Sequence, residues 1–181
     1  SWLNRRRYCK SNSSYLNEIK KMENFIENEL VKKVNNFIKQ FDSSLEITFL
    51  DKTARTAKDA ATALNCEVGA IVKSLVLRAD NSFLICLVAG DKRCSLNKLK
   101  KLIGKKDVSM ADAEQVKSQT GFSIGGVAPV AHLNRLDVLI DKSLGRFNDV
   151  FGAAGHPNCI FKIGYSQLIK ITNGSEKEIS E

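Results

Sequence analysis

Proline occurs twice in this chain of 181 residues, at Pro129 and Pro157, and histidine twice, at His132 and His156. Two imidazoles at unrelated positions do not specify a metal site. No serine sits in a nucleophile elbow with an acid and a histidine in order behind it, so covalent and metal mechanisms are both disfavoured. The five cysteines, Cys9, Cys66, Cys86, Cys94 and Cys159, are odd in number and hold no Cys-x-x-Cys pair. That disfavours structural zinc and a disulfide framework, and predicts reduced thiols in a cytosol-like compartment, with Cys66 and Cys86 as small core residues. No run of 18 apolar residues is present to span a membrane, and no apolar segment follows Arg5, Arg6 and Arg7 to make a secretory signal. The dinucleotide run Gly-x-Gly-x-x-Gly and the phosphate loop Gly-x-x-x-x-Gly-Lys-Ser/Thr are missing too, which removes most of the case for a nucleotide cofactor.

What remains is an ordinary globular composition, 43% hydrophobic and 27% charged, in a chain long enough for a substantial core. The formal charge of +8 is unevenly spread. Six of the 28 basic residues and one of the 20 acidic ones fall in residues 1–21, which leaves 22 against 19 in the rest. The body is therefore only mildly basic, and local clustering is the better guide to partners. Lys92, Arg93, Lys98, Lys100, Lys101, Lys105 and Lys106 lie within fifteen residues that contain no acid. Such a patch either attracts phosphates by releasing counterions or is a solvated helix face, and the pattern alone admits both.

Residues 1–21 show no sustained period and read as a flexible leader or expression remnant outside the fold. Met22, Phe25, Ile26, Leu30, Val34, Phe37, Ile38 and Phe41 have the spacing of one amphipathic helix over 22–41. A short strand over Glu46–Leu50 precedes a second helix, which Thr56 caps with Asp59 three residues on. Val68–Leu77 and Phe83–Ala89 read as buried strands around an Asp80-Asn81-Ser82 turn. Ser95 caps a basic helix through Ile103, and another helix is expected from about Met110 to Ser118. Strands follow at Leu136–Ile140, Asn148–Phe151 and Cys159–Ile163, with small-residue loops at Gly121–Pro129 and Gly152–Pro157. A last short helix, Ser166–Ile171, leads into a polar tail over 175–181. Several strands lack intervening helices, so the expected class is α+β, with a mixed, curved sheet flanked by helices.

Two features invite chemistry. Lys73 interrupts a nearly continuous apolar strand, and its ammonium either reaches water or meets an anion or a carbonyl. Gly121, Gly125 and Gly126, with Pro129, fall within nine residues, where glycine lets a ligand approach the main chain and proline fixes the loop's exit. A plain connection between two elements has the same spacing. His132 and His156 each follow a small-residue loop, as hydrogen-bonders of that loop or as catalytic groups.

Thr53-Ala-Arg-Thr-Ala-Lys-Asp-Ala-Ala, Ile71-Val-Lys-Ser-Leu-Val, Thr120-Gly-Phe-Ser-Ile-Gly-Gly-Val-Ala-Pro, Val138-Leu-Ile-Asp and Gly152-Ala-Ala-Gly-His-Pro stand in this order. Together they resemble the YbaK family, the aminoacyl-tRNA editing domains related to the insertion domain of bacterial prolyl-tRNA synthetase. The likeness covers about Met22 to Gly174. It implies a mixed α+β domain that deacylates mischarged tRNA in trans, most typically tRNA for proline or cysteine carrying a wrong small amino acid such as alanine, in the cytoplasm and without a cofactor. It further implies that Lys73 is needed for activity, and the role expected of its ammonium is to hold the terminal adenosine phosphate or the substrate carbonyl. Gly125, Gly126, Val127, Ala128 and Pro129 would form the substrate pocket, with Gly155 and His156 beside it. Lys98, Lys100, Lys101, Lys105 and Lys106 would bind the acceptor stem. A synthetase is a candidate partner. Two other readings stay open: an RNA-binding or regulatory module that kept the pocket without turnover, and an editing domain excised from a larger synthetase.

Overall fold

The fold is known from a computed structural model that describes residues 13–21, 24, 28–51 and 54–181. Residues 13–21 are helical (α1), where the sequence showed no period. Met22, Phe25 and Ile26 of the expected stripe, and Cys9, lie outside the described residues. The next helix, α2 (Glu29–Phe41), starts at Asn28, whose side chain accepts from the N–H groups of Leu30 and Val31. Its buried face is Val31, Val34 and Ile38, while Phe37 and Phe41 remain 40% exposed. The stripe is thus rotated from the one the sequence suggested, because Val31 and Val34 share a cluster with Val150 and Ala154 on the strand α2 covers.

After β1 (Ile47–Phe49) comes α3 (Ala57–Leu64), and Thr56 and Asp59 close the predicted capping box at its start. The apolar run from Val68 is not one strand. A single 3₁₀ turn over Val68–Ala70 precedes β2 (Val72–Ala79), which pairs with β3 (Ser82–Ala89) in an eight-residue antiparallel hairpin. Strand β3 is apolar on both faces: Ile85, Leu87 and Ala89 pack in one cluster, and Leu84, Cys86 and Val88 in another. A strand that alternates between two cores reads as a continuous hydrophobic run. Next come α4 (Leu96–Ile103), β4 (Val108–Met110) and α5 (Ala113–Thr120). Met110 was expected in the helix but ends β4, because Asp112 and Gln115 form the capping box that opens α5.

The remaining elements are β5 (Asp137–Asp141), β6 (Asp149–His156), β7 (Cys159–Gly164), α6 (Tyr165–Thr172) and β8 (Ser175–Lys177). Instead of one sheet there are two: a mixed five-stranded sheet, β4-β2-β3-β5-β8, and an antiparallel three-stranded one, β1-β7-β6, meeting at an Ile71–Phe151 bridge. The α+β class holds.

Two expectations are corrected here. Gly152–Pro157 is not a loop, since β6 runs through to His156, with a register shift between Ala153 and His156. Its glycines serve close packing: a Cβ on Gly152 would lie 3.2 Å from Pro129, and one on Gly155 2.9 Å from the Leu30 carbonyl of α2. Residues 175–181 are not a solvated tail. They add β8 to the sheet, bury Ile179 completely, and join residue 180 to Cys94 by a bridge. Asp141, 2% exposed, gathers this end by accepting from the Ile179 N–H (2.9 Å), the Ser180 hydroxyl (2.8 Å) and Ser143.

Candidate active site

Strand β4 pairs only with Leu77–Ala79, so the N-terminal half of β2 has no β4 partner on that side, and β6 bridges the chain just before it, at Ile71. The Ala111 N–H donates to the Val76 carbonyl there. Backbone direction repeats every second residue along a strand, so the N–H and C=O of Ser74 point to the same open side. A cleft of about 300 Å³ lies along this edge. Its floor and one wall are apolar, from Val76, Val116, Phe151 and Ile160, and Ala54 to Ala57 close another side. Among the described residues, Arg55 and Lys73 are its only charged lining residues, and no carboxylate lines it.

Lys73 therefore does line a cavity. Its half-buried amine donates to the Lys92 carbonyl in the β3 to α4 connection. Burial pushes its pKa below the ordinary lysine value; Asp91 pulls it back up, and Arg93 adds to the depression. Asp91 is itself held by a bidentate pair with Arg146 (2.7 and 2.9 Å), so the carboxylate nearest the amine is already engaged.

The glycine and proline loop is the opposite wall. Gly121 ends α5 at φ +79°, and the Leu133 N–H returns to the Thr120 carbonyl, closing the loop on its own base. Inside it, Phe122 is fully buried, and His132 donates through Nε2 to the Ala128 carbonyl at 2.7 Å. Burial lowers the pKa of His132, as befits an imidazole that fixes a loop. Gly125, at φ +91°, and Val127 line the cleft. Gly126, Ala128, Pro129, Gly155 and His156 do not; they stand behind that wall. A Cβ on Gly126 would come within 3.1 Å of the His156 backbone, so the two small-residue segments noticed in the sequence pack on each other. His156 accepts from the Asn158 N–H through Nδ1 (3.1 Å), which shapes the turn that brings Pro157 to the cleft.

The sequence reading missed three residues. Arg55 reaches the lining from the start of α3. Asn158, 7% exposed, donates from Nδ2 to the carbonyls of Asp51 and Ala54, both at 3.0 Å, and so ties the wall before α3 to the β6–β7 turn. Only its place after Pro157 hinted at this. Ser74 lines the cleft beside Lys73, in a strand whose lysine drew the attention.

The lysine cluster is spread over and after α4, outside the cleft lining. Lys98 donates to the Ser180 carbonyl (2.6 Å), and Lys105 pairs with Asp80 at 3.4 Å. Lys101, Lys105 and Lys106 are exposed and Lys100 is half-buried. Lys92, whose carbonyl receives the Lys73 amine, connects this surface to the cleft. No His, Cys, Asp and Glu cluster that could hold a metal occurs among the described residues, and no helix among them is long and apolar enough to cross a membrane.

The chain is similar to several known proteins. The family described as aminoacyl-tRNA editing domain matches residues 51–171. The uncharacterized protein YwhH of Bacillus subtilis is 30% identical over 139 residues, 76% of this chain and 88% of that protein. A proline-tRNA ligase of Thermosipho africanus is 38% identical over 76 residues, 42% of this chain but 14% of the ligase. Among solved structures, a protein provisionally named as a trans-editing enzyme for prolyl tRNA synthetase superposes with a TM-score of 0.81 at 33% identity, over 85% of this chain and 98% of that one.

Proposed function

Since the chain belongs to the family of aminoacyl-tRNA editing domains, we propose that it is a trans-acting deacylase, which hydrolyses the ester of tRNA for proline mischarged with alanine or another small amino acid. The observation that carries this reading is the cleft itself, small and apolar, with cations and no carboxylate among its described lining residues. A tRNA terminus brings phosphates, which suit Lys73 and Arg55, and a small aliphatic side chain, which suits Val76, Val116 and Ile160. The match over 98% of a solved protein provisionally named as a trans-editing enzyme for prolyl tRNA synthetase supports action in trans.

The physics of error correction requires such a second pocket. One methylene is worth about 1–3 kcal/mol in a synthetase site, too little to reject a smaller amino acid, so errors must be removed afterwards by a site of different shape. In the reaction, water attacks the ester carbonyl, the bond to the ribose oxygen breaks, and that oxygen leaves with a proton. The products are the free amino acid and uncharged tRNA. The ester is already activated, and orientation with electrostatic stabilisation suffices without a protein nucleophile. Lys73 meets the phosphate of the terminal adenosine, and a ribose hydroxyl aids the water. Gly125 and Val127 shape the pocket directly, with Gly126, Ala128, Pro129, Gly155 and His156 as the frame that sets their position. The exposed lysines around α4 guide the acceptor stem to the cleft in the cytoplasm.

A panel of tRNAs for proline and cysteine, charged with Ala, Ser, Cys, Thr and 2-aminobutyrate, tests this. Turnover of a small-residue member is expected. Binding of tRNA without release of any amino acid would instead identify an RNA-binding module.

A further inference from the structure

Among the described residues, Ser74 carries the one buried side-chain oxygen or nitrogen with no hydrogen-bond partner. A buried hydroxyl left unpaired is unfavourable, and in a cleft it signals a ligand group that completes it. Ser74 lines the cleft next to Lys73. Alternation along β2 puts the two on opposite faces: Ser74 lies with Val72 and Val76, on the side of the larger core, and Lys73 lies with Leu75 and Leu77, on the side of α4. The main-chain carbonyl of Ser74 points to the same open edge as that of Val76, beyond the reach of β4. One strand thus offers an ammonium on one face and, at the other, an unpaired hydroxyl beside a main-chain carbonyl that β4 does not reach.

Resting on the deacylase reading, we infer that Ser74 is a binding residue for the α-ammonium of the aminoacyl group, received by Ser74 Oγ and the Ser74 carbonyl. A primary ammonium carries three donors and needs acceptors, and no Asp or Glu among the described lining residues supplies one. The strand itself keeps this second positive charge across from Lys73, which is left to the anionic end of the substrate. The ester is then held at two ends of opposite sign. Ser74 is not a nucleophile in this scheme, because among the described residues no imidazole or carboxylate lines the cleft to take its proton, and the Lys73 amine lies on the opposite face of the strand.

The test compares alanyl-tRNA with lactyl-tRNA, in which a hydroxyl replaces the α-amine, for wild type, Ser74→Ala and Ser74→Thr; the seryl and glyceryl pair repeats it. Wild type should prefer the amine-bearing ester. Ser74→Ala should lower kcat/KM on alanyl-tRNA roughly 10- to 100-fold, the range of a hydrogen bond to a charged group, while lactyl-tRNA is unaffected and Ser74→Thr restores most of the loss. Its Tm should be unchanged or higher, since an orphan hydroxyl is removed. Equal losses on both esters, or no loss on either, would overturn the inference. Failure of the wild type to release any amino acid from any charged tRNA would instead remove the deacylase reading and this inference with it.

Discussion

Replacing Asn158 by Ala removes one donor group and strands the buried Ala54 carbonyl, while the Asp51 carbonyl keeps the Ala54 N–H at 3.0 Å. The Nδ2 amide spans the Asp51 and Ala54 carbonyls at 3.0 Å each, the second of these bonds being fully buried. A net hydrogen bond contributes about 0.5–1.5 kcal/mol, and a buried acceptor left unpaired costs about 1–3 kcal/mol, so a loss of about 2–3 kcal/mol is expected. At about 2–4 °C per kcal/mol for a chain of this size, Tm should fall by about 5–10 °C. Because Ala54, Arg55, Thr56 and Ala57 line the cleft, hydrogen exchange should quicken from residue 54 into α3 before the β2–β3 hairpin responds, and KM should rise with it. Asn158→Asp separates the donor from the shape: it keeps the volume but turns an acceptor towards two carbonyls, and should be at least as destabilising as Ala. An Asp variant as stable as wild type, or an Ala variant within a degree of it, would refute the clamp.

Gly126→Ala, measured by thermal melting and by deacylation, should lower Tm by a few degrees and kcat/KM more than tenfold, because its Cβ meets the His156 backbone at 3.1 Å and displaces Gly125 and Val127. Asp141→Asn should cost about 2–4 kcal/mol and release β8, seen as fast exchange over 175–177. Burial raises the pKa of Asp141, but bonds from Ser143, Ile179 and Ser180 outweigh it and hold the value below the ordinary 3.8. The stability it contributes is therefore present above about pH 4 and lost as pH falls through its folded value, a decline the Asn variant should lack. Reversing charge at Lys100, Lys101 and Lys105 should weaken tRNA binding and flatten its dependence on salt, and an unchanged slope would make the cluster a solvated face.

Much of this architecture could be read from residue pattern. The capping box at Thr56 and Asp59, the Ser95 cap and the β2–β3 hairpin follow from local chemistry, and local chemistry is what a sequence displays. Lys73 stood out for the same reason, as a charge in an apolar run. Glycine and proline mark a loop in one of the two small-residue segments only. That segment is Gly121 to Pro129, and not Gly152 to His156, whose small residues admit Pro129 and the α2 backbone to the face of a strand. The C-terminal residues looked like a tail because a three-residue strand and one buried isoleucine leave no period, and their anchor, Asp141, lies nearly forty residues away. Asn158 and Ser74 were illegible because their roles depend on partners, or on the want of a partner, that only the folded chain brings near.

The most direct test of the account is single-turnover deacylation of alanyl-tRNA for proline by the Lys73→Ala variant, with circular dichroism to confirm its fold. A folded protein whose rate falls by at least 100-fold is predicted, in line with the loss of a buried charged contact to the substrate. A folded variant that releases alanine at the wild-type rate would show that the cation on β2 does no work in the cleft.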